Sequence, residues 1–184
     1  MKFLKKQSTK ALQLVTSVLS IFLTFISCAQ PPADRAHVEN PEFDKKIVRT
    51  ISFTVPTMSV AELKEKQSEV VLLDARELEE YEVSHIPNAE YIGYDKLEKK
   101  KLKKIPKDAT IVLYCSIGYR SEKVGEKLQR MGYTDVYNLF GSIFEWVNQG
   151  NEVVDKDENP TDLIHTYNEK WSQWVNHNML KKTW

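Results

Sequence analysis

The alternation of short apolar runs with helical patterns constrains the fold of this chain more than any other feature. Residues 70–73 (VVLL) and 110–114 (TIVLY) have the composition expected for strands that are buried on both faces of a sheet. A third strand is predicted over 135–139, and before it a helix is predicted over 121–131, with Val124, Leu128 and Met131 on one face at helical spacing. Alternating strands and helices predict an α/β fold with a mainly parallel central sheet flanked by helices. Ligands of such sheets bind at the carboxyl ends of the strands.

Cys115 directly follows the second of these strands. It opens a tight turn that contains Gly118 and leads into the next predicted helix. The N–H groups of the turn, the helix dipole and the positive charge of Arg120 all favour thiolate over thiol, and the thiolate is the nucleophilic form. We therefore predict that Cys115 is a nucleophile in an anion-binding loop, and the alternative is an inert buried cysteine. A metal site is not expected, because no second cysteine or histidine lies nearby at ligand spacing.

The first 27 residues are typical of an export signal. A lysine-rich start precedes the apolar segment 11–26, which is short for a membrane span and suits the core of a signal peptide. Cys28 follows Ser27 and precedes a proline-rich polar stretch, and this resembles the lipobox of bacterial lipoproteins, whose cysteine is acylated. We predict a signal peptide over 1–27, a lipid on Cys28 and a flexible tether over 28–48. An uncleaved anchor or an ordinary signal peptide is the alternative.

This signal predicts an exported protein that is anchored in a bacterial membrane through Cys28 and faces the periplasm or the cell exterior. Basic and acidic residues number 26 each, and four of the lysines lie in the first 27 residues, which leaves 22 basic against 26 acidic residues. This charge balance does not predict a surface that binds nucleic acid, because such a surface requires an excess of basic residues. With Cys28 acylated, the domain keeps one thiol, so we expect no internal disulfide. We also expect a monomer.

The last segment, 156–184, carries apolar and aromatic residues at helical spacing. They are Leu163, Ile164, Tyr167, Trp171, Trp174 and Val175. The spacing predicts an added C-terminal helix that docks on the domain. The alternative is a helix that serves a partner or the membrane surface.

Three segments resemble, in the right order, those of the rhodanese or thiosulfate sulfurtransferase family. In this chain, the segment LLDARELEEYEVSHIPNAEYI resembles the opening block of the family. The segment YCSIGYRS resembles its active-site loop, and VYNLFGSIFEWVNQG resembles its closing block. The resemblance implies a rhodanese-like domain, placed here over 49–155, that works without a cofactor or a metal. Ser116 and Ile117 stand where many members have an arginine and a serine, so we expect weaker capture of thiosulfate. Ser142 replaces a glycine of the closing block.

The resemblance also implies a mechanism and roles for the site residues. The Cys115 thiolate would take the outer sulfur of a donor such as thiosulfate, release sulfite, and pass the sulfur as a persulfide to a thiol or cyanide. Substrate binding would fall to Ser116, Ile117, Gly118, Tyr119, Arg120 and Ser121. Structural support would come from Asp74, Arg76 and His85.

Two other functions stay open at this point. A phosphatase or arsenate reductase on the same fold would need a loop wide enough for a tetrahedral anion. Four residues separate Cys115 from Arg120, and one more is expected in phosphatases on this scaffold. A binding module that uses the fold without turnover is the second alternative, and the presence of both Cys115 and Arg120 disfavours it.

Overall fold

The computed structural model describes residues 31–176 and 178–184. The predicted signal peptide over 1–27 and the predicted lipid site at Cys28 lie outside these residues. Within the described ranges, no helix combines the length and the apolar character that crossing a membrane requires.

Helices and strands alternate along the described residues. The strands of the central sheet are β1 Thr57–Met58, β2 Val71–Asp74, β3 Glu90–Tyr91, β4 Thr110–Tyr114 and β5 Asp135–Leu139. The later strands are β6 Val153–Val154, β7 Pro160–Thr161, β8 Leu163–His165 and β9 Lys181–Thr183. The helices are α1 Pro41–Val48, α2 Val60–Lys66, α3 Leu78–Val83, α4 Lys99–Leu102, α5 Tyr119–Arg130, α6 Ser142–Asn148 and α7 Glu169–Ser172.

Strands β1 to β5 form one parallel sheet in the spatial order β1-β5-β4-β2-β3, which confirms the predicted α/β fold. The side chains of the central strand β4 alternate between two core clusters, with Ile111 and Leu113 in one and Val112 and Tyr114 in the other. Both faces of β4 are therefore buried, which explains its apolar sequence. Because β4 is central, the loop that begins at Cys115 leaves the middle of the carboxyl edge of the sheet.

Helix α5 follows β4 and packs closely against the chain that precedes β1. A Cβ atom at Gly125 would lie 2.9 Å from a methyl carbon of Val55, closer than side-chain atoms normally approach, so glycine permits this packing. Glu122 is buried and its carboxylate accepts the backbone N–H groups of Ser52 and Thr54. These contacts fix α5, and with it the loop that leads into the helix.

The flexible tether predicted over 28–48 is wrong where helix α1 packs on the domain. Asn40 caps this helix by accepting the N–H groups of Glu42 and Phe43. Phe43 and Ile47, which lie one helical turn apart, are fully buried in the core. The proline-rich polar composition suggested a tether, but two apolar residues at helical spacing behind a cap give this segment a buried face.

The added C-terminal helix predicted over 156–184 is also wrong. The segment contains β7, β8, β9 and the single-turn helix α7, and β8 pairs in parallel with β9 while β7 pairs antiparallel with β6. Asn168 accepts the N–H of Trp171 and begins α7, so the backbone changes conformation in the middle of the predicted helical stripe. Before that point, Leu163 is exposed and Ile164 is buried, which is the alternation of a strand.

The apolar residues of this segment do pack on the domain. Ile164 and Val175 are buried in the larger core cluster. Trp174 stacks on Phe43 of α1, with 5.4 Å between the ring centroids. The two segments that flank the central domain therefore contact each other.

Candidate active site

Cys115 directly follows the central strand β4, and its backbone is held by the first residues of α6. The residue is 2 % exposed. Its N–H donates to Ser142 Oγ at 3.2 Å, and its carbonyl accepts the N–H of Ile143 at 3.2 Å. Ser142 Oγ donates in turn to the carbonyl of Leu139 at 3.1 Å. The hydroxyl of Ser142 thereby ties the end of β4 to the end of β5.

The sulfur of Cys115 is surrounded by groups that favour a negative charge. The N–H of Gly118 donates to Sγ at 3.1 Å. Burial raises the pKa of the Cys115 thiol, but the charge of Arg120 and hydrogen bonds from Ser121 and Gly118 outweigh burial and lower the pKa below that of a free cysteine. The shift has the direction that the sequence predicted.

Asn138 of β5 shapes the loop from the neighbouring strand. Its Nδ2 donates to the carbonyl of Gly118 at 2.9 Å, and its Oδ1 accepts from the hydroxyl of Ser121 at 2.7 Å. That hydroxyl has a single proton, so the backbone N–H of Ser121 is the donor that can reach the thiolate without competing with Asn138. Gly118 has a φ of 124°, a backbone conformation that residues with a side chain rarely adopt. This conformation turns the chain from β4 into α5. Sequence reasoning missed Asn138, because an asparagine within a strand carries no motif signal.

Arg120 is bound by Glu80, a residue of α3 that sequence reasoning also missed. Nη2 of Arg120 donates to Glu80 Oε1 at 2.8 Å and to Ser116 Oγ at 3.0 Å, and Nη1 donates to Glu80 Oε2. Burial raises the pKa of the Glu80 carboxyl, but the hydrogen bonds and the charge of Arg120 hold that pKa below its ordinary value. The two residues therefore form an ionised, charge-compensated pair. The available signal was the place of Glu80 in the acidic helix of the opening block.

The C-terminal segment reaches the same pair. Cζ of Arg120 lies 5.1 Å from the centroid of the Tyr167 ring, and Nδ1 of His165 lies 3.9 Å from Oε1 of Glu80. Burial lowers the pKa of His165 and outweighs the attraction of Glu80, so this imidazole is neutral at neutral pH. Residues beyond the three family-like blocks thus contribute to the site.

A pocket of about 280 Å³ opens beside the sulfur. From the loop it is lined by Cys115, Ser116, Ile117, Tyr119 and Arg120, and from elsewhere by Thr50, Tyr94, Tyr167 and Trp171. The loop residues were expected at the site, and the other four were not. Of these four, Tyr167 and Trp171 belong to the apolar C-terminal residues for which the sequence predicts docking on the domain. Gly118 and Ser121, also predicted to bind substrate, are not among the described residues that line the pocket, and they contact the sulfur and the loop.

The residues predicted to give structural support are not among the described residues that line the pocket. Arg76 is fully buried and donates to Asp74 Oδ2 at 2.7 Å and to the carbonyl of Ser84 at 2.6 Å. His85 is buried, and its Nε2 lies 3.0 Å from Glu158 Oε1. These contacts connect the end of β2, the turn after α3 and the loop after β6.

The arrangement can support nucleophilic chemistry at Cys115. Its sulfur borders the pocket, and the N–H groups that would stabilise a negative charge on Sγ can also stabilise a charge on a second sulfur attached to it. Among residues 31–176 and 178–184, no group of three His, Cys, Asp or Glu side chains is placed to hold a metal ion.

Comparison with known proteins finds a matching family and a similar enzyme. The model of the Rhodanese-like domain matches residues 59–149. The thiosulfate sulfurtransferase GlpE of Coxiella burnetii is 32 % identical over 81 residues, which cover 44 % of this chain and 75 % of that protein.

Two solved structures are similar to this one. The crystal structure of the BH2092 protein from Bacillus halodurans has a TM-score of 0.50 and 26 % identity, over 54 % of this chain and 76 % of that chain. The solution NMR structure of the Rhodanese-like domain from the Anabaena sp Alr3790 protein has a TM-score of 0.52 and 21 % identity, over 58 % and 83 % of the two chains, and shows the fold alone. The pocket residues Thr50, Tyr167 and Trp171 lie outside the matched residues 59–149.

Proposed function

The chain belongs to the family of rhodanese-like domains, and from this premise we propose that it is a sulfurtransferase that carries sulfane sulfur as a persulfide on Cys115. The sulfur comes from thiosulfate or a similar donor and passes to a thiophilic acceptor, such as a thiol or cyanide. One observation carries the proposal: a buried cysteine at the wall of a pocket, with a pKa lowered by Arg120 and by loop hydrogen bonds. The name of the similar Coxiella enzyme supports the same reaction.

The reaction has two steps, and each is a displacement at sulfur. The Cys115 thiolate first attacks the outer sulfur of thiosulfate, the S–S bond breaks, and sulfite leaves with the electron pair. Cys115 then holds a persulfide anion, which the N–H of Gly118 and its neighbours stabilise. The acceptor attacks the terminal sulfur in the second step, and the Cys115 thiolate is regenerated.

Phosphate-ester hydrolysis is the competing reaction for a loop that joins a cysteine to an arginine. Four residues separate Cys115 from Arg120, which leaves a narrow ring of N–H groups. The guanidinium of Arg120 is also occupied by Glu80 and Ser116. Both observations favour a single charged sulfur atom over a tetrahedral phosphate as the group that the loop holds.

Mass spectrometry after incubation with thiosulfate tests the proposal. The full chain should gain one sulfur atom on the peptide that contains Cys115, and cyanide should remove this atom as thiocyanate. Cys28, where it remains a thiol, is an internal control for nonspecific modification, and Cys115→Ser should lose both reactions. Wild-type protein that gains no sulfur at Cys115, or that hydrolyses an aryl phosphate efficiently through Cys115, would contradict the proposal.

We also propose that the protein is exported and held at a bacterial membrane by a lipid on Cys28. The proposal rests on the lysine-rich start, the apolar segment 11–26 and the small residue Ser27 before the cysteine. Palmitate labelling in a bacterial host should mark the wild type and not Cys28→Ala. An unlabelled wild type would refute lipid attachment.

A further inference from the structure

Four of the nine described residues that line the pocket beside Cys115 are aromatic. We propose that the pocket selects a sulfur donor whose transferable sulfur is attached to an apolar, aromatic body, and that Tyr167 and Trp171 determine this selectivity. Arenethiosulfonates are simple compounds of this class. The inference rests on the proposed sulfurtransferase function of the same site.

The charge of the pocket disfavours a small dianion. Apart from Cys115, which can ionise to a thiolate, Arg120 is the one residue with a charged side chain among the described residues that line the pocket. Its guanidinium already donates to Glu80 and Ser116, so its charge is compensated before a donor arrives. Inorganic thiosulfate would lose water without meeting a free cation. A donor with one negative charge and an apolar body loses less hydration on entry.

The aromatic walls offer the complementary surface. Four of them face the pocket, namely Tyr94, Tyr119, Tyr167 and Trp171. Tyr119 is 45 % exposed and Tyr167 is 53 % exposed, so an apolar ligand would cover aromatic surface that water now contacts. The pocket, at about 280 Å³, is larger than a cavity of about 150 Å³ that holds benzene in another protein. One aromatic ring therefore fits beside the sulfur.

The two residues proposed to determine selectivity lie outside the residues that match the family. Tyr167 and Trp171 follow β8, beyond the residues 59–149 that match the family model. The N–H of Trp171 donates to Asn168 Oδ1 at 3.1 Å, which begins α7, and Nζ of Lys46 in α1 lies 4.8 Å from the centroid of the Trp171 ring. Both flanking segments thus hold this wall in place.

The proposed transfer balances without any further reactant. The Cys115 thiolate attacks the outer sulfur of the arenethiosulfonate, the S–S bond breaks, and the arenesulfinate leaves with the electron pair. Cys115 keeps the sulfur as a persulfide anion. Benzenethiosulfonate and thiosulfate carry the same transferable sulfur and differ in one substituent, since a phenyl group replaces a charged oxygen. Their comparison therefore measures the charge and the apolar body together, and the variants of Tyr167 and Trp171 isolate the contribution of the walls.

The experiment measures kcat/KM of the full chain for both donors, with cyanide as the acceptor. Each kcat/KM is divided by the rate constant of the same donor with a small thiol in solution, which corrects for the intrinsic reactivity of the donor. We expect a corrected preference for benzenethiosulfonate of about tenfold or more, the lower end of what apolar pocket contacts contribute to specificity. Trp171→Ala and Tyr167→Ala should each lower this preference by about tenfold. Trp184→Ala removes a tryptophan that is 59 % exposed in the same segment and should keep the wild-type ratio.

The possible outcomes distinguish failure of the proposed donor selectivity from failure of the proposed sulfurtransferase function. A Cys115 persulfide that forms as well or better from thiosulfate would overturn this inference and leave the sulfurtransferase function standing. A preference that is unchanged in both Trp171→Ala and Tyr167→Ala would do the same. Failure of both donors to place sulfur on Cys115 would overturn the proposed function itself. If Trp171→Ala unfolds, the wild-type ratio and the half-exposed Tyr167 still decide the matter.

Discussion

Replacing Glu80 by glutamine should increase the use of thiosulfate. Glu80 is buried, and its carboxylate accepts hydrogen bonds from both terminal nitrogens of Arg120. The pKa of Glu80 lies below its ordinary value, so the group is ionised at neutral pH and cancels the charge of the arginine. Glutamine keeps the shape and one acceptor oxygen and removes the negative charge. The guanidinium of Arg120 would then act on the pocket as a free cation.

The size of the effect follows from Coulomb's law. One unit of charge acting on a dianion at about 7 Å contributes roughly 1–5 kcal/mol for effective dielectric constants between about 80 and 20. Because the pocket is open to water, we expect the lower part of this range, or about a tenfold increase in kcat/KM for thiosulfate. The variant should also lose stability, since an arginine that is largely buried loses its counter-charge.

Steady-state transfer from thiosulfate to cyanide measures the effect, at low and at high ionic strength. The gain should shrink as salt screens the added charge. Glu79→Gln, an exposed residue of the same helix α3, removes the same charge away from Arg120 and should change little. If folded Glu80→Gln protein uses thiosulfate no better than the wild type, the compensated charge of Arg120 does not limit capture of the donor, and the reasoning fails.

Two further predictions concern the nucleophile and the flanking helix. The rate of sulfur transfer should rise with pH as the Cys115 thiol ionises, because the thiolate is the reactive form. The midpoint of this rise should lie below the pKa of a free cysteine, because the pKa of Cys115 is lowered. Arg120→Gln removes a charge that lowers this pKa, so the midpoint should move to higher pH; initial rates between about pH 5 and pH 9 measure the shift, and an unmoved midpoint would contradict it. Phe43→Ala should lower the free energy of unfolding in urea by about 3–5 kcal/mol, as expected for a buried aromatic residue. Glu42→Ala on the exposed face of α1 should change it far less, and an equally small effect of Phe43→Ala would mean that this segment is a tether after all.

The central sheet and the loop could be predicted because their signals are local. A strand buried on both faces must be apolar throughout, and residues 70–73 and 110–114 show this within a few positions. The place of Cys115 then follows from the rule that parallel strands present their carboxyl ends at one edge. Its preference for thiolate follows from the glycine turn and the arginine that come directly after it in the chain.

The partners that complete the site could not be predicted, because they arrive from distant parts of the chain. Glu80 and Asn138 reach the loop through the packing of α3 and the pairing of β5 with β4, and neither contact leaves a spacing in the sequence. The prediction of a C-terminal helix was wrong for a different reason. A strand, a turn and one helical turn that all face the domain place Ile164, Tyr167 and Trp171 at intervals that also fit a continuous helix.

The central position of β4 also determines which part of the site can open. Its amide groups are bonded to β2 on one side and β5 on the other, so their hydrogen exchange requires the whole sheet to separate. The wall that carries Tyr167 and Trp171 depends on the two-stranded pair β8–β9 and on one turn of helix, and such units open locally at a much smaller free energy. Deuterium uptake should therefore be fast around α7 and slow in β4. We therefore expect the nucleophile to stay on the slow-exchanging strand, and any local opening of the site to take place at the wall that carries Tyr167 and Trp171.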